Sequence, residues 1–472
     1  MIDGNGLAEK MLGLSGLVVL DVEDGPGEVV VTVETTLREA FCSSCRKRAQ
    51  AQDRLEVHLR DLHCYGRACR LVIRKRRWRC RTAGCVKKTW TEQIAGIASR
   101  QVLTMRAGAE VTRQVGQICR AVASVARECG VSWDCAFDAV ELHGRPLVDG
   151  KARVGNVRAL GVDEHSYLAA TREHSTIYAT TLVNLDRRQV IDLFEGKSAA
   201  KLRRWTAERP RSWRRGVKVV ALDLTDTYRA GLSPHLAHAK RVADPFHVTR
   251  VANRMLDEVR RRVQNETLGH RGRKLDPLYR ARKLLLKGEE RLDGVGRGKL
   301  MAALRLGDPH DAVLEAWLAR EAVRSVYLEE DVDAAAVLLD STIEGCLADE
   351  VPEIVTMGRT LSRWREEILN HHRTGASNGP TEGTNFCAKQ VKRAGRGFTN
   401  FEHYRLRVLL HAGGVTWPNR PHLGRRAPRL CQPSERGPQR GVRAGAVRED
   451  VAFLGGRDNG SAVSGRCRKE WR

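Results

Sequence analysis

No uninterrupted apolar run approaches the ~20 residues that a membrane-crossing helix needs, which argues against a membrane-embedded chain. The opening MIDGNGLAEKMLGL is acidic and lacks the basic start and long apolar stretch of a secretory leader. A repeat of solenoid length is missing, and no heptad or apolar stripe marks a dimer seam. These absences point to a cytoplasmic protein, where thiols stay reduced. The 13 cysteines are therefore expected to be free or metal-bound rather than paired as disulfides. Hydrophobic residues make up 42% of the 472, which fits a soluble globular chain. Its length suits roughly two to four domains.

Positive charge is what the chain has in excess: 82 Lys and Arg stand against 57 Asp and Glu, a formal +25. The charge is clustered. Residues 38–100 hold seventeen basic and five acidic side chains, residues 415–472 hold thirteen and five, and residues 1–37 are acidic. Clustering of this size is an electrostatic footprint for a polyanion, although a solubility tail would look the same.

Periodicity divides the chain. Val-rich segments around Asp24-Gly25-Pro26-Gly27 predict a hairpin, and short strands are expected between the cysteine pairs of 41–93. Residues 1–97 are thus a hairpin plus a metal-binding module, and 98–150 a helical segment. Residues 151–246 alternate strands and helices, 247–370 are helical, 371–414 hold the final helices, and 415–472 form a basic, mostly disordered tail.

Cys42-Ser-Ser-Cys45 and Cys80-x4-Cys85 each supply two soft ligands from one short turn, the donor set of a structural Zn²⁺. Such an ion would stabilise a module too short to build its own core. Gly84 suits a tight knuckle, Cys64 and Cys69 are spare thiols, and incidental burial of four thiols is the bland alternative. Between the pairs, VIRKRRWRC alternates basic with apolar residues like a strand exposing a basic face, so Arg76 and Arg77 are candidate DNA contacts. In RAVASVARECGVSWDCAFDAV, a helix, a turn at Cys129-Gly130 and a second helix capped by Ser132 suit a helix-turn-helix, though a plain helical hairpin reads similarly.

Asp163 ends the apolar strand RALGVD and Asp223 ends VKVVALD. Adjacent central strands would bring both acids to one sheet edge, where a divalent cation such as Mg²⁺ or Mn²⁺ relieves their repulsion. Each alone reads equally as a strand-end turn residue. Asp226 lies three residues on, but the strand phase favours Asp223. Glu382 opens the helix SNGPTEGTNFCAKQVKRAGRGF, with Asn385, Lys389 and Lys392 or Arg393 following near one face. Asp244 and His247 form Asp-x-x-His, either beside such a site or as a structural hydrogen bond.

Several segments resemble bacterial insertion-sequence transposases of the DDE type, the ISL-three family. They are the two Cys pairs around RRWRC, GVDEHS at 161–166, VVALDLTDTYR at 219–229, VADPFHV at 242–248 and, most specifically, SNGPTEGTNFCAKQVKRAGRGFTNFEHYRLR at 377–407. The resemblance implies a multidomain α+β protein: a zinc-ribbon-like module, a helix-turn-helix, and a ribonuclease H-like catalytic domain interrupted by the helical stretch 247–370. It also implies that Asp163, Asp223 and Glu382 hold catalytic Mg²⁺, with Asp244 or His247 beside them or supplying a ligand instead. Lys389, Lys392, Arg393 and Arg396 would then hold DNA phosphates. The partners implied are transposon-end and target DNA and a second copy of the chain, in the bacterial cytoplasm at the nucleoid. The sequence past about 428 departs from the family's usual ending. The same residues leave open a DNA-binding regulator with an inert catalytic domain, or a nuclease that cuts without joining.

Overall fold

Residues 9, 10 and 12–418 are described in a computed structural model, without the side chains of 151 and 152; the predicted disordered tail lies, from 419 on, outside the described residues. Two five-stranded sheets organise a mixed α/β chain.

The first sheet takes the order β1 (Leu17–Asp24), β2 (Glu28–Thr35), β4 (Arg67–Arg79), β3 (Gln50–Cys64), with β5 (Thr89–Thr91) added to the end of β4. The β1–β2 hairpin forms at the expected turn. The strands between the cysteine pairs are long rather than short, at 15 and 13 residues. Their length lets the sheet bury its own apolar cluster, including Val19, Val33, Leu59, Leu71 and Ile73. The expectation of a module too short for a core is therefore corrected. Alternation on β4 is also imperfect, since Lys75 is buried and only Arg74, Arg77 and Arg79 are exposed.

Helices α1 (Met105–Gly116), α2 (Val122–Cys129) and α3 (Trp133–Asp149) follow. Gly130 takes a left-handed φ of 66°, which ends α2, and the Ser132 hydroxyl accepts from the Cys135 N–H at 3.1 Å to open α3. The exposed face of α3 carries Trp133, Asp134, Asp138 and Arg145. The opposite face shares a core with the second sheet and the last helix: Val125, Phe137 and Val140 cluster with Val190, Leu193, Tyr404 and Leu409.

That second sheet runs β10 (Lys240–Ala243), β9 (Val219–Leu222), β6 (Ala159–Leu168), β7 (Ile177–Asn184), β8 (Gln189–Glu195). Strands β6, β7 and β8 are antiparallel neighbours, whereas β9 and β10 run parallel to β6. The apolar start of β6 is buried on both faces, as a central strand requires. Helices α4 (Ala199–Ala207) and α5 (Asp226–Leu236) bury Leu202, Trp205, Tyr228 and Leu232 in its largest core. That core continues into α6 (Pro245–Leu268) and six further helices, α7 (Pro277–Leu285), α8 (Gly294–Gly307), α9 (Ala312–Val326), α10 (Val332–Ala348), α11 (Pro352–Arg363) and α12 (Arg365–Thr374). Helices α13 (Gly379–Ala394) and α14 (Phe401–Ala412) then return to the sheet.

Candidate active site and metal centre

Strand register positions the acids. Val162 on β6 pairs with Leu222 on β9, and Leu222 pairs with Ala243 on β10. The next residue of each strand is an aspartate: Asp163, Asp223 and Asp244. Three carboxylates thus stand level across three adjacent parallel strands, one strand spacing (~4.8 Å) apart: Asp223 and Asp244 follow the ends of β9 and β10, whereas Asp163 does not end its strand as expected but sits within β6, which runs on to Leu168. Asp226, by contrast, sits exposed at the start of α5 and pairs with Arg363.

Helix α13 runs along β6 in the same direction. Its side chain Thr381 meets Gly161, Asn385 Nδ2 donates to Asp163 Oδ2 at 2.7 Å, and Lys392 Nζ donates to the Ser166 carbonyl at 3.2 Å. The match is geometric: four helical residues rise about 6 Å and two strand residues about 6.6 Å. Gly161 is what permits the approach, because a Cβ there would collide with Thr381 and Leu185.

Asp163, Asp223 and His247 offer ligand atoms within 4.8 Å of one another, and all three are buried. His247 Nδ1 lies 2.9 Å from Asp223 Oδ1 and 3.1 Å from Asp244 Oδ2, but only the contact to Asp244 has hydrogen-bond geometry. Asp223 Oδ1 is therefore buried without a donor. The backbone N–H of Asn378 donates to Asp244 Oδ1 at 2.9 Å. Burial and the adjacent charge of Asp223 push Asp163 up to about 7. Burial would push Asp244 up as well, but its bonds from His247 and Asn378 hold it below the usual carboxylate range. Burial opposes charging of His247, yet Asp223 and Asp244 outweigh it and raise the imidazole to about 9. Two adjacent buried carboxylates, with Asp223 Oδ1 held only by its ion pair to His247, are a donor set that fits a hard divalent cation.

Glu382 occupies the first turn of α13 and is exposed. Partial burial and the charges of Asp244 and Asp223 raise its carboxyl, so it lies within their field without joining the tight cluster. Lys389, Arg393 and Arg396 are exposed, while Lys392 is half-buried. Arg76 and Arg77 are engaged in the first sheet. Arg76 pairs with Glu34 and the Thr35 and Leu37 carbonyls, and Arg77 Nε bonds Asp53 Oδ1 at 2.9 Å. Asp244, singled out in the sequence together with His247, stands in register with the other acids through the pairing of β10 with β9.

A second constellation closes the first sheet. The sulfurs of Cys42 and Cys85 lie 3.7 Å apart, those of Cys45 and Cys80 3.6 Å, and all four fall within 4.8 Å. Metal–sulfur bonds of ~2.3 Å in a tetrahedron give sulfur–sulfur edges of ~3.8 Å, so the four thiols fit Zn²⁺. Left-handed Arg46 (φ 60°) and Gly84 (φ 74°) close the two knuckles. The Thr82 hydroxyl beside Cys45, with the Lys47 N–H, draws that thiol down to about 6. Cys64 and Cys69 belong to neither group among the described residues.

A family model described as Transposase, for the ISL3 type of DDE enzyme, matches residues 160–408. The chain is 24% identical over 412 residues to the transposase for insertion sequence element IS1001 of Bordetella parapertussis, covering 85% of this chain and 97% of that protein. It is 27% identical over 269 residues to the transposase for insertion sequence element IS1557 of Mycobacterium tuberculosis, covering 52% of this chain and 58% of that one. The matched span opens at β6 and closes in α14, and it encloses every acid of the sheet edge: the chain belongs to the ISL3 family of DDE transposases.

Proposed function

We propose that this chain binds the terminal inverted repeats of an insertion sequence and, with Mg²⁺ or Mn²⁺, cleaves DNA strands and transfers them to target DNA. The observation that carries the reading is the register of Asp163 and Asp223: two buried carboxylates level on adjacent parallel strands, one of them with an undonated oxygen. Three antiparallel strands followed by two parallel ones support a ribonuclease H-like catalytic domain, with 247–370 as its helical insertion. Asp163, Asp223 and Glu382 would hold the ions, with Glu382 reaching in from its exposed helical turn.

When bound, a pair of divalent ions activates the attacking oxygen and stabilises the leaving one. The chain's own residues do the positioning. Asn385 fixes the free oxygen of Asp163, and His247 with the Asn378 N–H orients Asp244. Lys389 and Arg393 face solvent along α13 and Arg396 in the turn just past it, and all three would hold the strand by its phosphates; Lys392, tied to Ser166, contributes its field. Structural Zn²⁺ on the four cysteines, and helices α2 and α3, would serve end recognition, and two copies would bring two ends together as a homodimer at the nucleoid.

Pre-cleaved transposon ends incubated with target DNA and Mg²⁺ test the reading. Joined products are expected from the natural chain and none from Asp163→Asn or Glu382→Gln. Joining unaffected by both substitutions would sink it, and cutting without joining would reduce it to a nuclease.

A further inference from the structure

Between the first turn of α2 and the loop that follows α13 lies a cavity of about 300 Å³. Arg407 lines it, although it is only 2% exposed. Its Nη2 donates to the Arg120 carbonyl at 2.9 Å, its Nε has no partner, and among the described residues no carboxylate pairs with it. A buried guanidinium without an anion is costly, and the cost is removed if an anion enters. Two further observations at the same cavity have the same sign. Helix α2 opens at Ala121 without a side-chain cap, and its first turn lines the space, leaving unsatisfied N–H groups and the positive end of the helix there. Arg396 projects at the rim from a left-handed turn (φ 55°) between Gly395 and Gly397, and its guanidinium has no partner among the described residues.

One wall is aromatic. Trp133 stacks on Phe137 with ring centres 5.0 Å apart and planes 11° from parallel, and Phe137 meets the His403 ring at 4.3 Å. Trp133 remains 45% exposed, so its outer face is open. Cations beside a free aromatic face match a phosphate joined to a flat ring. A paired base keeps both faces stacked within the duplex, whereas an unpaired one can lie on an aromatic platform.

We propose that this cavity seats one unpaired nucleotide of the DNA, its phosphate between Arg407, Arg396 and the start of α2, and its base on Trp133. The proposal rests on the DNA-processing reading above and adds a location. From Glu382 to Arg396 the chain advances fourteen residues, mostly as α13, or roughly 20 Å. That is about six base-pair rises. The seat therefore holds a nucleotide about six positions from the bond being cut, and it links the end-recognition helices to the catalytic sheet.

The test uses the full chain, a buffer without added Mg²⁺ or Mn²⁺ to prevent cutting, and duplexes carrying the inverted repeat. One duplex is fully paired; the others carry a single unpaired nucleotide moved stepwise across the positions around the sixth. The natural chain is expected to prefer one unpaired duplex about tenfold over the paired one, because the unpairing cost is already met. Trp133→Ala should lose that preference while still binding the paired duplex, Arg396→Ala should lose it together with some affinity for every duplex, and Glu315→Gln, exposed on the helical insertion, should keep it. Equal affinity at every position overturns the seat and leaves the wider reading standing, as does a preference that survives both substitutions. Weaker binding by Arg396→Ala with no preference anywhere would mark an ordinary phosphate contact and also overturn it. Failure to bind any of the duplexes would remove the DNA reading, and the seat with it.

Discussion

Asp163 carries the plainest physical signal in the molecule, a carboxyl whose proton leaves only near pH 7. Unfolded, the same group titrates near 4. The folded state therefore binds the proton more tightly, and that stabilisation is complete below about pH 4 and lost as pH rises through 7. His247, raised to about 9 from an ordinary 6.5, loses its contribution over the higher window. Chelated protein should consequently melt at a lower temperature at pH 9 than at pH 5. For Asp163 the difference is at most about 4 kcal/mol. Adding Mg²⁺ should flatten the dependence, and Asp163→Asn should remove the portion between pH 4 and 7; a melting temperature independent of pH in the chelated protein would contradict both. The same substitution should abolish strand cleavage and leave end binding within a few-fold, as read by gel shift. At this scale Asp163 and Asp223 stood out as acids following apolar segments, although each alone read equally as a turn residue and β6 in fact runs on past Asp163 to Leu168. Arg407 was not, since nothing in RLRVLL distinguishes a buried arginine from an exposed one.

Elements decide whether those residues meet. Helix α13 can lie against β6 only because Gly161 has no side chain beneath Thr381. Gly161→Val should lift the helix, part Asn385 from Asp163, and cost about 1–3 kcal/mol by overpacking. Cleavage should fall at least tenfold with end binding retained; full cleavage would show that the close approach is dispensable. The cysteine knuckles make a separate test. Because the first sheet has its own core, Cys42→Ser should leave most of that sheet folded while freeing the 42–45 and 80–85 turns. Zinc content should fall from one ion per chain, and end recognition should weaken. Normal end binding after complete zinc removal would refute that role. The helical stretch near 104–145, its turn at Cys129-Gly130 and the β1–β2 hairpin followed from periodicity and turn chemistry. The lengths of β3 and β4 did not, because ion pairs such as Arg74–Glu56 and Arg77–Asp53 carry charged residues along strands that were expected to be short.

For the whole molecule, the formal charge of +25 sets how binding responds to salt. Six to ten phosphate contacts would lower affinity by about 10³–10⁵ between 50 and 200 mM salt. Filter binding across that range should show a steep log–log slope, and Arg396→Ala should reduce it by about one. A flat response would mean that the basic surface does not meet DNA. The basic clusters were plain from composition, but their use depends on pairing that composition hides. Arg76 is folded onto Glu34 and main-chain carbonyls, whereas Arg127 and Arg396 remain unpaired among the described residues.

Asn385 reaches Asp163 across 222 positions of sequence. A growing polypeptide that has emerged only as far as the helical insertion already contains Asp163, Asp223 and Asp244, yet lacks the Asn385 bond that completes the hold on the first, leaving only the Glu164 N–H, and has no Glu382. Any DNA-cutting power would then arrive late in synthesis, when α13 docks, so prematurely terminated copies ending before residue 379 should be harmless to the genome that encodes them.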